Sequence, residues 1–349
     1  MSTQPKFVLP EAADPEAALA RLYAGESLAE FEAEALFAEL VAGRLPEPAI
    51  AAMLIALRLK GESAEELTGA ARALRAADVD FPRPDYLFAD SCGTGGDGSA
   101  SINVSTAVAF AAAAAGLPVA KHGNRSVTSR CGSADVLEQL GANLDVSADI
   151  SRRALDETGV CFLFAPLYHP GLRHAGPVRR MLKVRTIMNM LGPCVNPAEP
   201  RVQLLGVADP ALLQPVASTL AALGVERALV VHGCGLDEMA LHGETQAVRV
   251  LDGALESVTI RPEDAGLERR PVQVLRGGGP EENAERLKAL LMGYGLAAEA
   301  EVVALNTGAL LLTAGLAADL RDGVGMAMQA LGSGEAYRRL RLFVEASND

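Results

Sequence analysis

The sequence contains no tryptophan, and aromatic residues make up only 4% of its 349 positions. Surfaces that stack nucleic-acid bases need aromatic side chains, so no such surface is expected here. The formal charge of −13 also opposes nonspecific binding to nucleic acid, because that affinity comes largely from cations that displace counterions from phosphates. An anionic ligand would therefore need a local basic pocket.

Cysteine is also scarce. The five cysteines include no CxxC pair and are odd in number, which indicates a reducing compartment and no zinc site. No segment looks apolar for long enough to span a bilayer, and the first ten residues lack the charged-then-apolar layout of a secretory signal. The sequence thus predicts a cytoplasmic protein that does not associate with a membrane.

The chain changes character after residue 84. From Pro15 to about Arg75 apolar residues repeat at helical spacing, and Ser63 with Glu66 three residues on predicts a capped helix start. Phe-Pro-Arg-Pro at 81–84 is interpreted as an exit linker. Beyond it, short apolar runs alternate with helices, which is typical of a parallel α/β sheet. The expected strands lie at 86–89, 119–120, 161–164, 204–207 and 228–231.

We predict an α/β fold with a small N-terminal helical domain and a larger α/β domain whose mostly parallel central sheet has flanking helices. Gly277-Gly278-Gly279-Pro280 is predicted to be a surface turn before another helix. The helical domain is placed at 1–84, joined by about 170–195, and the α/β domain at 85–169 and 196–349.

The first Gly-rich segment, 90–98, follows the predicted strand at 86–89, and 103–106 then opens an Ala-rich helix. Glycines let the backbone approach phosphates closely, and the free N–H groups of a helix start add donors. The segment fits GxGxxG, but the acidic residue expected about 20 positions on in a dinucleotide site is missing, and no Gly-Lys-Ser/Thr occurs. We interpret it as a phosphate cradle, with a tight structural turn as the alternative.

A second polar segment, 121–133, follows the predicted strand at 119–120. It carries three cations, an amide, an imidazole and four hydroxyl groups. In an acidic protein such a cluster at the carboxyl edge of a sheet favours a polyanionic ligand, with a solvated loop as the alternative. A third segment, 231–238, ends in Asp237 and Glu238. Two adjacent carboxylates beside a phosphate site indicate magnesium, although such pairs are often solvated surface.

These motifs resemble those of the anthranilate phosphoribosyltransferase family of the tryptophan pathway. The resemblance spans nearly the whole chain and rests on long strings. They are Gly93-Thr94-Gly95-Gly96-Asp97, Asn103-Val104-Ser105-Thr106, Lys121 to Ser129, Gly132-Ser133-Ala134-Asp135, Val178-Arg179-Arg180, Arg185-Thr186-Ile187, Asn189 and Leu191-Gly192-Pro193.

The resemblance implies a ligand set. Residues implied to bind phosphoribosyl pyrophosphate (PRPP) are Gly93, Gly96, Asp97, Ser101, Asn103, Val104, Ser105, Thr106, Lys121, His122, Gly123, Asn124, Arg125, Ser126, Val127, Thr128, Ser129 and Ser133. Those implied to contact anthranilate are Gly93, His122, Asn124 and Arg179, and those implied to hold Mg²⁺ are Ser105, Asp237 and Glu238. The resemblance further implies hinged domains and a homodimer formed through the helices. No discrete catalytic acid or base is expected, because an aniline nitrogen is already neutral near pH 7 and needs little activation.

The sequence departs from the family pattern at four places: Lys183 stands for a usual Gly, Met188 for a usual Phe and Cys131 for a usual Ser, and the loop with Asp237 and Glu238 is one residue short. Two other functions remain open. One is a pyrimidine nucleoside phosphorylase, which would use inorganic phosphate, and the other is a non-catalytic relative that binds nucleic acid.

Overall fold

The computed structural model describes residues 14–126 and 130–349, which form two compact units. The helical unit comprises 14–78 and His169–Leu191, and the α/β unit comprises the remaining described residues. This division confirms the predicted fold class. The chain enters the α/β unit at Val79, earlier than residue 84, because the Val79 N–H donates to the Tyr168 carbonyl over 2.9 Å. The predicted linker is thus packed, since Phe81 is buried and its ring contacts Tyr168 edge to face.

The helical unit is built from helices that bury apolar side chains, and side chains cap the starts of the first and the fourth. Its helices are α1 (Pro15–Tyr23), α2 (Glu30–Val41), α3 (Glu47–Lys60), α4 (Ala64–Ala76), α9 (Gly176–Leu182) and the first part of α10 (Ile187–Cys194). The predicted capping box at the start of α4 is present: Ser63 Oγ accepts from the Glu66 N–H, and a Glu66 carboxylate oxygen accepts from the Ser63 N–H. This box fixes where α4 begins.

Lys183 ends α9 in the left-handed region, with φ of 52°. That conformation costs a residue with a Cβ about 1–2 kcal/mol, whereas glycine adopts it freely. We expect Lys183→Gly to raise the free energy of unfolding by about 0.5–1 kcal/mol, after allowing for the greater entropy of glycine in the unfolded chain. The measurement is the urea midpoint. Arg180→Gly, at an exposed position inside the same helix, is the control and should lower the free energy of unfolding by about 1 kcal/mol. A lower midpoint for Lys183→Gly would contradict the argument.

The α/β unit contains one seven-stranded sheet in the order β3-β2-β1-β4-β5-β6-β7. Strands β1 to β5 run parallel, and β6 and β7 add an antiparallel edge. The strands are β1 (Ala89–Gly93), β2 (Val119–Gly123), β3 (Val160–Phe164), β4 (Val202–Gly206), β5 (Arg227–Gly233), β6 (Thr245–Leu251) and β7 (Ala254–Ile260). Strands β6 and β7 were not predicted. Buried residues in β6 are interrupted by exposed ones and β7 is largely exposed, so neither has the continuous apolar run of a buried parallel strand.

The predicted bounds of the first two strands need correction. Strand β1 begins at Ala89, where it was expected to end, and Asp90 lies inside it rather than in the Gly-rich loop. Likewise Lys121 and His122 belong to β2 rather than to the polar loop. The reason is tertiary: each of these three polar side chains is buried and makes hydrogen bonds inside the α/β unit. The ends of these two strands were therefore assigned to loops because their residues are polar, although they are buried.

The remaining helices flank this sheet. They are α5 (Val104–Ala114), α6 (Ser133–Gln139), α7 (Ala148–Thr158), α8 (Ala165–Tyr168), α11 (Leu213–Ala222), α12 (Pro280–Leu291), α13 (Ala297–Ala314), α14 (Leu320–Gly332) and α15 (Glu335–Asn348). Helix α13 corrects the expectation that no segment is apolar for long enough to span a bilayer, because its 18 residues have a mean hydropathy of 1.2. In the structure 67% of that stretch is buried, as in a core helix of the α/β unit.

The predicted surface turn at 277–280 is wrong for its first two residues. Gly277 and Gly278 are buried, and the Gly277 N–H donates to the Ala100 carbonyl over 2.7 Å. A Cβ on Gly277 would lie 2.8 Å from the Ser101 carbonyl oxygen. Glycine is therefore needed here because this segment packs directly against the backbone of Ala100 and Ser101, shortly after the first Gly-rich segment.

Candidate functional site

The three polar segments identified in the sequence follow strands that end at one edge of the sheet. Strands β1, β2 and β5 are parallel members of the same sheet, so their carboxyl ends at Gly93, Gly123 and Gly233 lie at a common rim. Ligands of open α/β sheets bind outside the carboxyl ends of the strands. The topology therefore places all three segments where an anionic ligand is expected.

Asp237 joins the third segment to the first. Its Oδ2 accepts from the Gly95 N–H over 2.6 Å, and Gly95 has a left-handed φ of 67° that glycine adopts without strain. A Cβ on Gly93 would overlap the Asp237 carboxylate, and one on Gly206 at the end of β4 would overlap its carbonyl oxygen. The close approach of these backbones explains why both strand ends are glycine.

Asp97, Asp237 and Glu238 form a cluster of like charges. Burial and the nearby Asp97 raise the pKa of Asp237 to about 7, although the Gly95 N–H opposes the rise. Burial and Asp237 also raise the pKa of Glu238, against the opposing effect of Lys121 and of the Ser105 backbone N–H. A nearby cation would stabilise the ionised forms of both carboxylates. The cluster is thus electrostatically suited to a divalent ion.

The donor set fits magnesium in particular. Among residues 14–126 and 130–349, no group of three or more His, Cys, Asp or Glu side chains is arranged to hold a metal ion by itself. Magnesium usually takes one or two carboxylates and completes its shell with water and substrate phosphates rather than with an all-protein cage. Asp237, Glu238 and the Ser105 hydroxyl would supply such a partial shell.

Lys121 lies beside this cluster. Its ammonium group is buried and donates to the Ser91 carbonyl over 2.6 Å and to Ser105 Oγ over 3.1 Å. These two bonds hold the cation at the start of α5, where Ser105 lies. The lysine therefore combines a fixed positive charge with the free N–H groups of a helix start, both of which favour anions.

A buried carboxylate, Asp90, supports this arrangement and was not predicted from the sequence. It accepts from Asn196 Nδ2 over 2.9 Å and from the His122 backbone N–H over 3.4 Å. Burial raises the pKa of Asp90, while the Lys121 charge and the Asn196 bond oppose that rise. Nothing in the sequence around Asp90 distinguishes a buried carboxylate with hydrogen-bond partners from an acidic residue in a loop.

The second polar segment is folded back on itself. One carboxylate oxygen of Asp135 accepts from the backbone N–H groups of Ser126 and Gly132, over 2.9 and 2.7 Å. The Arg125 guanidinium pairs with Glu138 and stacks 4.6 Å from the Phe164 ring centroid, so its charge is balanced within the protein. Val127, Thr128 and Ser129 lie outside the described residues.

Several predicted ligands surround the loop starts. Asn124 is exposed, and its carbonyl oxygen accepts from Ser133 Oγ over 3.3 Å, which brings the two ends of the second segment together. A Cβ on Gly123 would overlap Ser133 Oγ. His122 is buried, and its Nδ1 donates to the Gly192 carbonyl over 3.0 Å, which assigns the proton to Nδ1 when the ring is neutral.

Asn103 connects three segments of the α/β unit. Its Nδ2 donates to the Cys131 carbonyl over 3.3 Å, and its Oδ1 accepts from Asn283 Nδ2 over 2.9 Å. Ser101 forms an isolated antiparallel bridge with Arg276. The structure therefore uses the Asn103 side chain to join the first and second loops, a role that the sequence did not suggest.

The other residues that the resemblance implies to bind PRPP in 90–106 differ in how exposed their side chains are. The side chains of Val104 and Thr106 are buried, so their contribution to ligand binding would come from the backbone. Asp97 is half-buried, and its Oδ1 accepts from Ser99 N–H and Oγ over 3.0 and 2.9 Å. Gly96 has a φ of 75°, which favours glycine.

Arg179 lies in the helical unit, on α9. Its side chain is half-buried, and burial lowers the pKa of its guanidinium. Across the described part of the chain no carboxylate forms an ion pair with Arg179, whereas Arg125, Arg270 and Arg286 all have such partners. A partly desolvated, unbalanced guanidinium is suited to a ligand carboxylate.

Two family models match the chain. The Glycosyl transferase family, a/b domain, matches residues 85–337, and the Glycosyl transferase family, helical bundle domain, matches residues 16–77. The anthranilate phosphoribosyltransferase of Sorangium cellulosum is 58% identical over 328 residues, which cover 94% of each chain.

Solved structures agree with this likeness. The crystal structure of anthranilate phosphoribosyltransferase from Thermus thermophilus is 43% identical, with a TM-score of 0.91 over 95% of this chain and 99% of that one. The enzyme from Saccharomyces cerevisiae in complex with PRPP and Mg is 26% identical, with a TM-score of 0.88 over 97% of this chain and 99% of that one.

Proposed function

Because this chain belongs to the anthranilate phosphoribosyltransferase family, we propose that it transfers the phosphoribosyl group of 5-phosphoribosyl 1-pyrophosphate to the amine of anthranilate. The products are N-(5-phosphoribosyl)anthranilate and pyrophosphate, and the reaction belongs to tryptophan biosynthesis. The observation that carries this proposal is the placement of Lys121 and Ser105 beside the carboxylates of Asp237 and Glu238 at one sheet rim. That arrangement offers both a cation and metal ligands to a sugar pyrophosphate.

The first two loops are proposed to bind PRPP. The start of α5, after Asn103, presents backbone N–H groups, and Lys121 beside it supplies a fixed positive charge. Ser105, Asp237 and Glu238 would hold Mg²⁺, and a bound magnesium ion would neutralise charge that develops on the leaving pyrophosphate. The loop glycines would let backbone N–H groups reach the phosphate oxygens.

The reaction needs little proton transfer at its start, because the aromatic amine of anthranilate is neutral near pH 7. The chain's contribution is therefore proposed to be orientation of the two substrates and stabilisation of the leaving group. Lys121 keeps its ammonium group at the rim through its bonds to Ser91 and Ser105. His122 and Asn124, which follow on the same strand end, are proposed to line the approach of the acceptor.

Arg179 is proposed to pair with the anthranilate carboxylate. We expect Arg179→Ala to raise the KM for anthranilate on the order of 10–100-fold, because a charge-assisted bond to a partly desolvated guanidinium is lost. Steady-state kinetics with each substrate varied in turn would measure this. The KM for PRPP should stay near its wild-type value.

Arg180→Ala is the matched control, because Arg180 is the next residue on α9 but is exposed. Its KM values should equal those of the wild type. An anthranilate KM that is unchanged in Arg179→Ala, or that rises equally in both variants, would contradict the assignment of Arg179.

The direct test of the proposed function is an assay with PRPP, Mg²⁺ and anthranilate that follows the loss of anthranilate fluorescence. Loss that requires all three components supports the proposal. A phosphorolysis assay with thymidine or uridine and inorganic phosphate tests the nucleoside phosphorylase alternative, and a salt-dependent DNA-binding assay tests the nucleic-acid alternative. Phosphorolysis or DNA binding without anthranilate consumption would overturn the proposal.

We further propose that the protein is a cytoplasmic homodimer formed through its helical unit. All five cysteines are free thiols in the structure, which suits a reducing compartment. The helical unit also exposes apolar side chains, including Leu59 at 80% and Tyr23 at 54%, and exposed apolar surface of this kind favours association. Sedimentation equilibrium of the purified chain would test the dimer.

A further inference from the structure

Directly after Glu238, the chain is buried but belongs to no helix or strand. Met239 and Ala240 are both fully buried. Their backbone groups have neither water nor a strand ladder to bond with, and buried backbone groups without partners destabilise a fold. The segment that carries the two adjacent carboxylates therefore depends on side chains from elsewhere.

Asn306, in the middle of the buried helix α13, provides most of these bonds. Its Oδ1 accepts from the Met239 N–H over 2.9 Å, and its Nδ2 donates to the Met239 carbonyl over 3.3 Å. The same Nδ2 donates to the Val302 carbonyl of its own helix over 2.9 Å, which fixes the orientation of the amide. Thr245 Oγ1 accepts from the Ala240 N–H over 3.0 Å.

Building on the proposed function, we infer that Asn306 is a positioning residue that fixes the Asp237 and Glu238 carboxylates for the magnesium complex of PRPP. Met239 is covalently adjacent to Glu238, and consecutive Cα atoms are a fixed distance of about 3.8 Å apart. Two hydrogen bonds from Asn306 to the Met239 N–H and carbonyl therefore restrict both the position and the orientation of the adjacent Glu238 backbone.

The geometry of the loop explains why such a restraint is needed. The loop that bears the pair makes a tight turn, with Cys234 at a positive φ of 52°, and Asp237 Oδ2 accepts from the Gly95 N–H over 2.6 Å. Side chains that orient metal ligands from outside the coordination shell typically change metal affinity about 10–100-fold when removed. Asn306 acts on the ligands through the Met239 backbone, and Thr245 anchors the next residue, Ala240, with a single bond.

The test compares Asn306→Ala and Thr245→Val with two controls on α13. Leu310→Ala creates a cavity in the same buried helix, and Thr307→Val alters a buried hydroxyl that has no hydrogen-bond partner within the described chain. Binding of Mn²⁺ in the presence of PRPP is followed by electron paramagnetic resonance. Backbone anchoring is followed by hydrogen exchange of the peptide containing 237–241 in the ligand-free protein.

We expect Asn306→Ala to speed exchange at 237–241 and to weaken Mn²⁺ binding about 10–100-fold, with a smaller change of the same sign in Thr245→Val. Leu310→Ala should lower the melting temperature without a selective effect on either readout, and Thr307→Val should resemble the wild type. If Asn306→Ala does not fold, Thr245→Val decides the matter through the same two measurements.

The outcomes separate the two proposals. The positioning role would be overturned if hydrogen exchange and Mn²⁺ binding in Asn306→Ala matched those in Leu310→Ala. If Asn306→Ala is unfolded, the same comparison is made with Thr245→Val. If the wild type itself fails to bind Mn²⁺ with PRPP, the proposed function fails and the positioning role for that complex fails with it. The exchange data would then still show whether Asn306 anchors the loop.

Discussion

Replacing Asp237 with Asn together with Glu238 with Gln should lower kcat on the order of 10³-fold, the size of effect that follows loss of charge stabilisation at a leaving group. The two substitutions keep the shape of the side chains but remove both anionic ligands of the proposed magnesium site. They also remove like charges from a cluster in which burial and Asp97 raise the pKa of Asp237. The ligand-free variant should therefore be at least as stable as the wild type.

Initial rates at a series of Mg²⁺ concentrations, together with a melting curve, measure both effects. Glu256→Gln with Glu268→Gln is the control, since it removes two exposed carboxylates from the same unit and changes the net charge equally. That control should keep wild-type kinetics. Wild-type magnesium dependence in the Asp237 and Glu238 double variant would remove the metal assignment.

Lys121→Met should lower kcat/KM for PRPP on the order of 10²–10³-fold, because the buried ammonium group is a fixed cation beside the proposed pyrophosphate site. Methionine preserves most of the length of the side chain but not its charge. The substitution also removes the cation that favours the ionised form of buried Asp90, so the melting temperature should fall.

Lys288→Met is the matched control, because Lys288 lies on α12 in the same unit and is only half-buried. Its kinetics should be those of the wild type. Should the PRPP dependence of Lys121→Met equal that of this control, the lysine would have a structural role alone.

The sequence predicted the rim of the sheet better than the strands that form it. Glycine, arginine and hydroxyl residues clustered in the segments that follow β1 and β2, and the parallel topology places those segments at one edge. The strand ends themselves were assigned to loops, because Asp90 and Lys121 are polar. Their burial depends on partners distant in sequence, such as Asn196, and local pattern carries no information about such partners.

The antiparallel edge was missed for a related reason. Strand β7 is exposed along most of its length, so apolar periodicity did not mark it. The Gly-rich turn at 277–280 was placed on the surface because glycine and proline usually occur there. Gly277 is instead buried against the backbone of Ser101, a contact across a long stretch of sequence. In each case tertiary packing overrode a local preference.

Within the site, the sequence indicated candidate residues but not how their side chains connect. The sequence indicated Asp237 and Glu238 as adjacent ligands, but not that Asp97 belongs to the same electrostatic cluster or that Asn306 holds the Met239 backbone. Similarly, the sequence did not indicate that the guanidinium of Arg125, which the resemblance implies to bind PRPP, pairs with Glu138. Hydrogen-bond partners are set by the fold, which brings together residues that are far apart in the sequence.

The most direct test of the central claim is calorimetric titration of the protein with PRPP in the presence of Mg²⁺ and again with a chelator. We expect saturable binding that weakens strongly when Mg²⁺ is removed, and that loses its magnesium dependence in the Asp237→Asn, Glu238→Gln variant. Absence of PRPP binding with Mg²⁺ present, or equal binding with and without Mg²⁺, would show that the sheet rim is not a site for the magnesium complex of PRPP.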